Sequence, residues 1–205
     1  MIDEGYIKFQ SHWQPGPAKD SPALTELIAV RNALFSAGLI GIYPEINVGF
    51  GNVSRRIGDS EQFWISGTRT GGIAVADHAH FTRVTRAQIP KNTVYNEGPV
   101  EASSESMTHA MLYARWPGIG CVVHVHHRGL WEWLPGRVPV SAPEVPYGTP
   151  AMAQEVARLF EETDLAGQRI FVMGGHEEGI IAFGADPESA AGVVLDWREA
   201  WQMRA

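Results

Sequence analysis

The stretch Ser-Ser-Glu-Ser-Met-Thr-His-Ala-Met-Leu-Tyr-Ala-Arg-Trp-Pro-Gly-Ile-Gly-Cys-Val-Val-His-Val-His, residues 103–126, decides how this chain is read. It opens on two serines and a glutamate. Serine caps helices well, and an early acidic side chain suits the helix dipole. A helix is therefore expected over residues 103–115, stopped by Pro117-Gly118. Residues 119–126 then read as a strand, an apolar run with β-branched Val122 and Val123. Side chains two apart on a strand share a face, so His124 and His126 project to one side. The short connection makes helix and strand antiparallel neighbours. That topology carries Glu105, Ser103 and Ser104 to the end of the strand where the histidines lie.

Two imidazoles at adjacent same-side positions are well placed to chelate one divalent ion. His176 follows in a Gly-Gly-His turn between expected strands at 170–173 and 179–183. A turn beside a sheet can bring a third imidazole to the first two. Three histidines with an open position form a catalytic zinc pattern, whereas a structural zinc is usually closed by cysteines. This chain has one cysteine, Cys121, inside the apolar run 119–123. It reads as a buried thiol, and no disulfide framework is possible.

Outward from this centre, an amphipathic helix is expected at 23–37, with Gly38 as its stop. Residues 1–22 read as an irregular N-terminal segment. Strands are expected at 48–54 and 62–66, around a turn at Gly58-Asp59. A glycine-rich turn follows at 67–72. Residues 73–100 are polar and turn-rich, with a short strand near 80–84. Further helices are expected at 149–162 and at 187–203, the latter with Pro187 in its first turn. Strands in the middle, with helices before, between and after, indicate a layered α/β domain with a mainly antiparallel central sheet. A 205-residue chain that is 44% hydrophobic can fill the core of one domain, taken as 1–205.

A net charge of −7, with no Lys/Arg cluster, argues against a nucleic-acid partner. No window approaches the apolar length of a membrane span. The N-terminus has neither a basic nor an apolar signal region. The expectation is a cytoplasmic protein with no membrane partner.

The ordered motifs resemble the class II aldolase/adducin family. They are Gly51-Asn52-Val53-Ser54, then 66–72, then Ser103-Ser104-Glu105, then His124-Val125-His126, then His176 with 179–184. The resemblance spans about residues 24–195. It implies a three-layer α/β/α fold, commonly a homotetramer with sites at subunit interfaces. It implies Zn²⁺, with Mn²⁺ or Co²⁺ as alternatives, held by His124, His126 and His176. Glu105 matches the catalytic glutamate, which can also ligate the resting metal. Gly51, Asn52, Thr70, Gly71, Ser103 and Ser104 match the phosphate seat. Helix N-termini and glycine turns suit anions physically. The implied reaction is cleavage of a small phosphorylated keto-sugar through a metal-stabilised enediolate. Epimerase, dehydratase and 3-oxo-acid-phosphate decarboxylase chemistry, on a keto-acid substrate in the last case, would use the same residues. A non-catalytic adducin-like binding protein would be expected to lack ligands that are all present here. The chain departs from the family in two ways. Glu177-Glu178 separate His176 from the glycine that usually follows it. No tyrosine in the short stretch between His126 and Tyr147 matches the family's proton donor, and Tyr147 falls in a structural part of the pattern.

Among other residues, Arg69 could clamp an anion or simply face solvent. Arg55-Arg56 are compatible with a small anionic ligand. Trp131 and Trp133, alternating on a short segment after the histidines, read as interface or core packing residues. Trp197 and Trp201 share a helix face. His78, His80 and His109 read as ordinary polar positions.

Overall fold

A computed structural model describes residues 6–204. The histidine-bearing strand, β8 (Cys121–His126), lies deep inside an eight-stranded sheet and is buried along its whole length. The other strands are β1 (Gln10–Pro15), β4 (Asn52–Arg56), β5 (Phe63–Ser66), β6 (Phe81–Gln88), β7 (Thr93–Gly98), β9 (Ile170–Val172) and β10 (Gly179–Gly184), in the order β1-β7-β6-β5-β4-β8-β10-β9. Every ladder is antiparallel except β1 with β7. A separate two-stranded hairpin pairs β2 (Gly41–Tyr43) with β3 (Val48–Phe50).

Helices cover both faces, giving the three layers. Cys121, Val123 and Val125 join one core with Leu24, Leu27 and Leu34 of α1 (Pro22–Ser36) and Ala190 and Val194 of α6 (Pro187–Gln202). Val122 joins the other core with Met107 and Leu112 of α2 (Ser106–Arg115) and Met152 and Val156 of α4 (Pro150–Glu162). His124 and His126 therefore face the α2/α4 layer. The helices begin where local chemistry directs. Ser21, Thr149 and Asp186 each accept a backbone N–H of the first turn, with proline directly behind.

Several expectations are corrected. Residues 10–15 are not irregular: they form edge strand β1, paired with β7, itself a strand in a region expected to be mostly turns. Trp13 Nε1 donates to the Gly98 carbonyl at 3.0 Å, and His12 stacks on Tyr95. An exposed edge strand is held by backbone pairing and needs no apolar alternation, so periodicity does not reveal it. The expected strand 48–54 is cut in two at Gly51, which takes φ +76°. A Cβ there would lie 2.9 Å from Ile40 Cγ1 and 3.1 Å from the His124 carbonyl oxygen. Trp131 and Trp133 sit on a short helix, α3 (Arg128–Trp133), with Trp131 Nε1 donating to the Met173 carbonyl. Helix α2 begins three residues late. Its His109 and Tyr113 reach Ser54 on β4, and Tyr113 packs on Phe63 of β5.

Candidate functional site

Three buried imidazoles meet at one end of the sheet. His124 and His126 come from β8, and His176 from the turn between β9 and β10. The register explains the meeting. Gly179, the first residue of β10, pairs with His126, so the preceding turn overhangs the end of β8. A donor nitrogen from each ring lies within 4.8 Å of the other two. His126 Nε2 is 3.0 Å from His124 Nε2 and 3.1 Å from His176 Nε2. Behind the cluster, His124 Nδ1 faces the Ile180 carbonyl at 3.3 Å, and His126 Nδ1 faces the Tyr43 hydroxyl at 3.0 Å. The Ile180 carbonyl can only accept, which assigns the ring N–H of His124 to Nδ1 and leaves its Nε2 lone pair turned into the cluster, where the three Nε2 atoms converge.

Converging lone pairs repel unless a proton or a cation lies between them. Burial disfavours the proton, pushing His124 and His126 well below the ordinary histidine range, and the adjacent histidines push the same way. A neutral, buried three-imidazole donor set fits a divalent cation such as zinc.

Glu105 is buried and forms the N-cap position of α2. Its carboxylate does not cap the helix. Oε2 accepts the Thr108 hydroxyl at 2.9 Å instead. Ser103 Oγ accepts the Glu105 amide, and the Ser103 carbonyl accepts both amide and hydroxyl of Ser106. The serines thus shape the turn before the helix rather than its first turn. Tyr147 and Gly148 link this segment to the third histidine. The Tyr147 ring lies 4.4 Å from that of His176, and Gly148 leaves no room for a Cβ beside the Ser104 carbonyl oxygen.

A small polar pocket adjoins the histidines. Gly49, Gly51, Asn52, Gly71, Ser103 and Ser104 line it, together with Gly67, Thr68 and Arg69. Asn52 pairs with His124 across the β4–β8 ladder, so pocket and cluster share a wall. The buried Asn52 Oδ1 has no hydrogen-bond partner among the described residues. Thr70 is oriented differently from the expectation: its hydroxyl turns back to the Gly67 carbonyl at 2.7 Å, and Thr68 and Arg69 line the pocket instead.

Four residues gain roles that the sequence reading did not assign. Arg31 of α1 is buried and donates to the carbonyls of Thr70 (2.8 Å), Gly71 (3.0 Å) and Ile73. Beside it, Asn32 pairs both ways with the Ala76 backbone. Together they clamp the glycine turn. An arginine in phase with Leu24, Leu27, Ile28 and Leu34 was the available signal. His109 is not an ordinary polar position. It is fully buried, its Nδ1 is 2.6 Å from Ser54 Oγ, and burial lowers its pKa to about 3. Its place one helical turn after Glu105 was the missed cue. Tyr43, on the hairpin behind His126, had no local signal. Arg56, offered as an anion contact, instead donates to the carbonyls of Tyr113, Trp116, Ile119 and Ser60.

The model of the Class II Aldolase and Adducin N-terminal domain matches residues 43–204. Among solved structures, the chain is similar to L-fuculose-1-phosphate aldolase from Thermus thermophilus, at 25% identity and a TM-score of 0.63, covering 87% of this chain and 90% of that one. It is similar to a sugar-phosphate aldolase from Thermotoga maritima at 18% identity and a TM-score of 0.66, covering 88% and 92%. YgbL from Klebsiella pneumoniae, named for aldolase, epimerase or decarboxylase chemistry, matches at 17% identity and a TM-score of 0.62, covering 89% and 87%.

Proposed function

The chain belongs to the class II aldolase/adducin family, and on that premise we propose that it is a metal-dependent carbon–carbon lyase acting on a small phosphorylated keto-sugar. The observation that carries the reading is the convergence of three buried imidazole donors beside a pocket of glycines, serines and an unpartnered buried amide. His124, His126 and His176 would hold a divalent ion, Zn²⁺ by its donor set. When bound, it would supply Lewis-acid polarisation of the substrate's oxygens.

The residues divide the remaining work. Gly51, Asn52, Gly71, Ser103 and Ser104, with Thr68 and Arg69 alongside, seat the phosphate. Glu105 takes the proton from the substrate hydroxyl. Loss of that proton breaks the adjacent C–C bond, releases an aldehyde and leaves the electron pair on the keto fragment, to which Glu105 can return a proton. Burial supports this role, because water is kept from the carbanion-like fragment. The expected assembly is a homotetramer with sites between subunits, which light scattering of the purified protein tests.

A decarboxylase reading uses the same seat and the same Glu105. It is favoured by one observation. The Tyr147 hydroxyl is engaged with the Tyr6 backbone, so it is not offered to exchange a proton with the substrate hydroxyl that becomes the aldehyde, a step that decarboxylation does not require. Turnover assays with phosphorylated ketoses and 3-oxo-acid phosphates separate the readings by their products, an aldehyde plus a keto fragment or CO₂. The lyase reading requires one of these products and about one divalent ion per chain. It fails if His124→Ala/His126→Ala binds metal as tightly as wild type.

A further inference from the structure

Two features meet behind one ligand. The first is the Glu177-Glu178 pair after His176. The second is the β2–β3 hairpin, which exists because Gly51 breaks the strand. Tyr43 of that hairpin places its hydroxyl 2.8 Å from Glu178 Oε2 and 3.0 Å from His126 Nδ1. Phe50 packs against both rings, at centroid distances of 4.6 Å from Tyr43 and 5.4 Å from His126, and so shields the contact.

We propose that Tyr43 and Glu178 are positioning residues for His126: the Glu178 carboxylate accepts the Tyr43 hydroxyl proton, and Tyr43 in turn accepts His126 Nδ1–H. The inference rests on the metal-centre reading above. The chain of donors has one direction. Glu178 can only accept when ionised, so Tyr43 must donate to it, and the tyrosine oxygen is then turned to accept from the imidazole. His126 is thereby committed to the tautomer that presents Nε2 to the ion, and its basicity as a ligand is raised.

The backbone of Glu178 adds an independent argument. Its φ is +66°, in a region where L-residues other than Asn and Asp are uncommon. Glycine would sit there without strain. A glutamate kept in that conformation points to work done by its side chain. Its surroundings hold it in place. The Glu178 carbonyl accepts the His127 amide at 3.1 Å, and Arg128 lies 4.0 Å from Oε1 and 3.0 Å from its neighbour Glu177.

The test uses the intact chain and the variants Tyr43→Phe, Glu178→Gln and Glu178→Gly. Zn²⁺ affinity is measured by competition with a chelating dye. Histidine tautomers are read from long-range ¹H–¹⁵N spectra of the metal-free protein. The positioning role predicts a Zn²⁺ Kd raised about 10- to 100-fold in each variant. It also predicts one Nδ1–H tautomer for His126 in wild type and a mixture in Tyr43→Phe. Glu178→Gly is the sharpest arm: glycine relieves the backbone, so its Tm should hold or rise while its affinity for Zn²⁺ falls. A structural residue would move both together. Unchanged Zn²⁺ affinity in Glu178→Gln and Glu178→Gly overturns the proposal, even if Tyr43→Phe fails to fold. A wild-type chain that binds no Zn²⁺ overturns the metal-centre reading itself, and this inference with it.

Discussion

Replacing Gly179 by alanine tests how tightly the third histidine is seated. A Cβ on Gly179 would overlap His176 Cδ2 and would lie 3.1 Å from both Cγ and the His176 carbonyl oxygen. The strand backbone cannot yield easily, because Gly179 pairs with His126 and its amide donates to the His176 carbonyl. The imidazole must therefore retreat by roughly 1 Å to regain van der Waals distance. Metal–ligand distances tolerate only about 0.2 Å, so a displacement of that size removes the third ligand. The fold should survive. Overpacking costs about 1–3 kcal/mol, offset in part by about 0.4–1 kcal/mol from the stiffer unfolded chain. At about 2–4 °C per kcal/mol for a chain of this size, the metal-free Tm should drop by only a few degrees. Zinc should separate the two proteins much more. Wild type should gain about 2.7 kcal/mol of stability at about one hundred times its Kd, and the variant, which at that concentration has only a two-histidine site, should gain far less. Thermal melts with and without Zn²⁺ read both effects. A Gly179→Ala protein that keeps the wild-type zinc-induced shift would refute the three-histidine reasoning.

Glu105→Gln should keep its metal and lose about 10²- to 10⁴-fold in kcat, measured on whichever substrate the product screen identifies. Arg31→Met leaves the carbonyls of Thr70, Gly71 and Ile73 without their buried donor. At about 1–3 kcal/mol for a buried group left unsatisfied, urea unfolding should show a loss of at least about 2 kcal/mol, and phosphate binding by calorimetry should weaken. Acid should destabilise the metal-free protein. The folded pKa of His109 is about 3 against the ordinary histidine value of 6.5, so between those values the unfolded state binds more protons and stability rises with pH. The loss should begin as pH falls below about 6.5 and reach about 1.4 kcal/mol per pH unit for each such histidine. His124 and His126 act in the same direction. Equal urea midpoints at pH values of about 5.5 and 7.5, one on either side of the unfolded pKa, would contradict it.

What could be read in advance depended on whether side-chain pattern or backbone pairing sets the element. His124 and His126 were legible because alternation along β8 dictates their common face. His176 was legible because a hairpin turn next to that strand has few other places to go. Helices α1, α4 and α6 were legible from caps and apolar period. Strand β1 was not, since Gln10–Pro15 carries no apolar alternation and is fixed by its ladder to β7. The break at Gly51 was hidden because its cause is the approach of Ile40 and the His124 carbonyl, neither of them its neighbour in sequence. Thr70 matched the pattern for the anion seat by residue type, yet its hydroxyl is spent inside its own turn. Arg31 showed its charge on an apolar face, but which carbonyls it holds follows only from the packing of α1 against the loop.

That break at Gly51 also divides the chain's heritable parts. On one side of it, β4 continues into the sheet that carries His124 and His126 and must keep its register with His124. On the other, the hairpin of β2 and β3 pairs only with itself, outside the main sheet. Its loop, residues 44–47, can vary in length without moving a single ligand. The tip of the hairpin is therefore the exchangeable part, whereas Gly49 lines the pocket and Tyr43 and Phe50 lie against His126. A descendant of this chain could retune the electronic environment of His126 through Tyr43 and Phe50 alone, while inheriting the sheet and its three histidines.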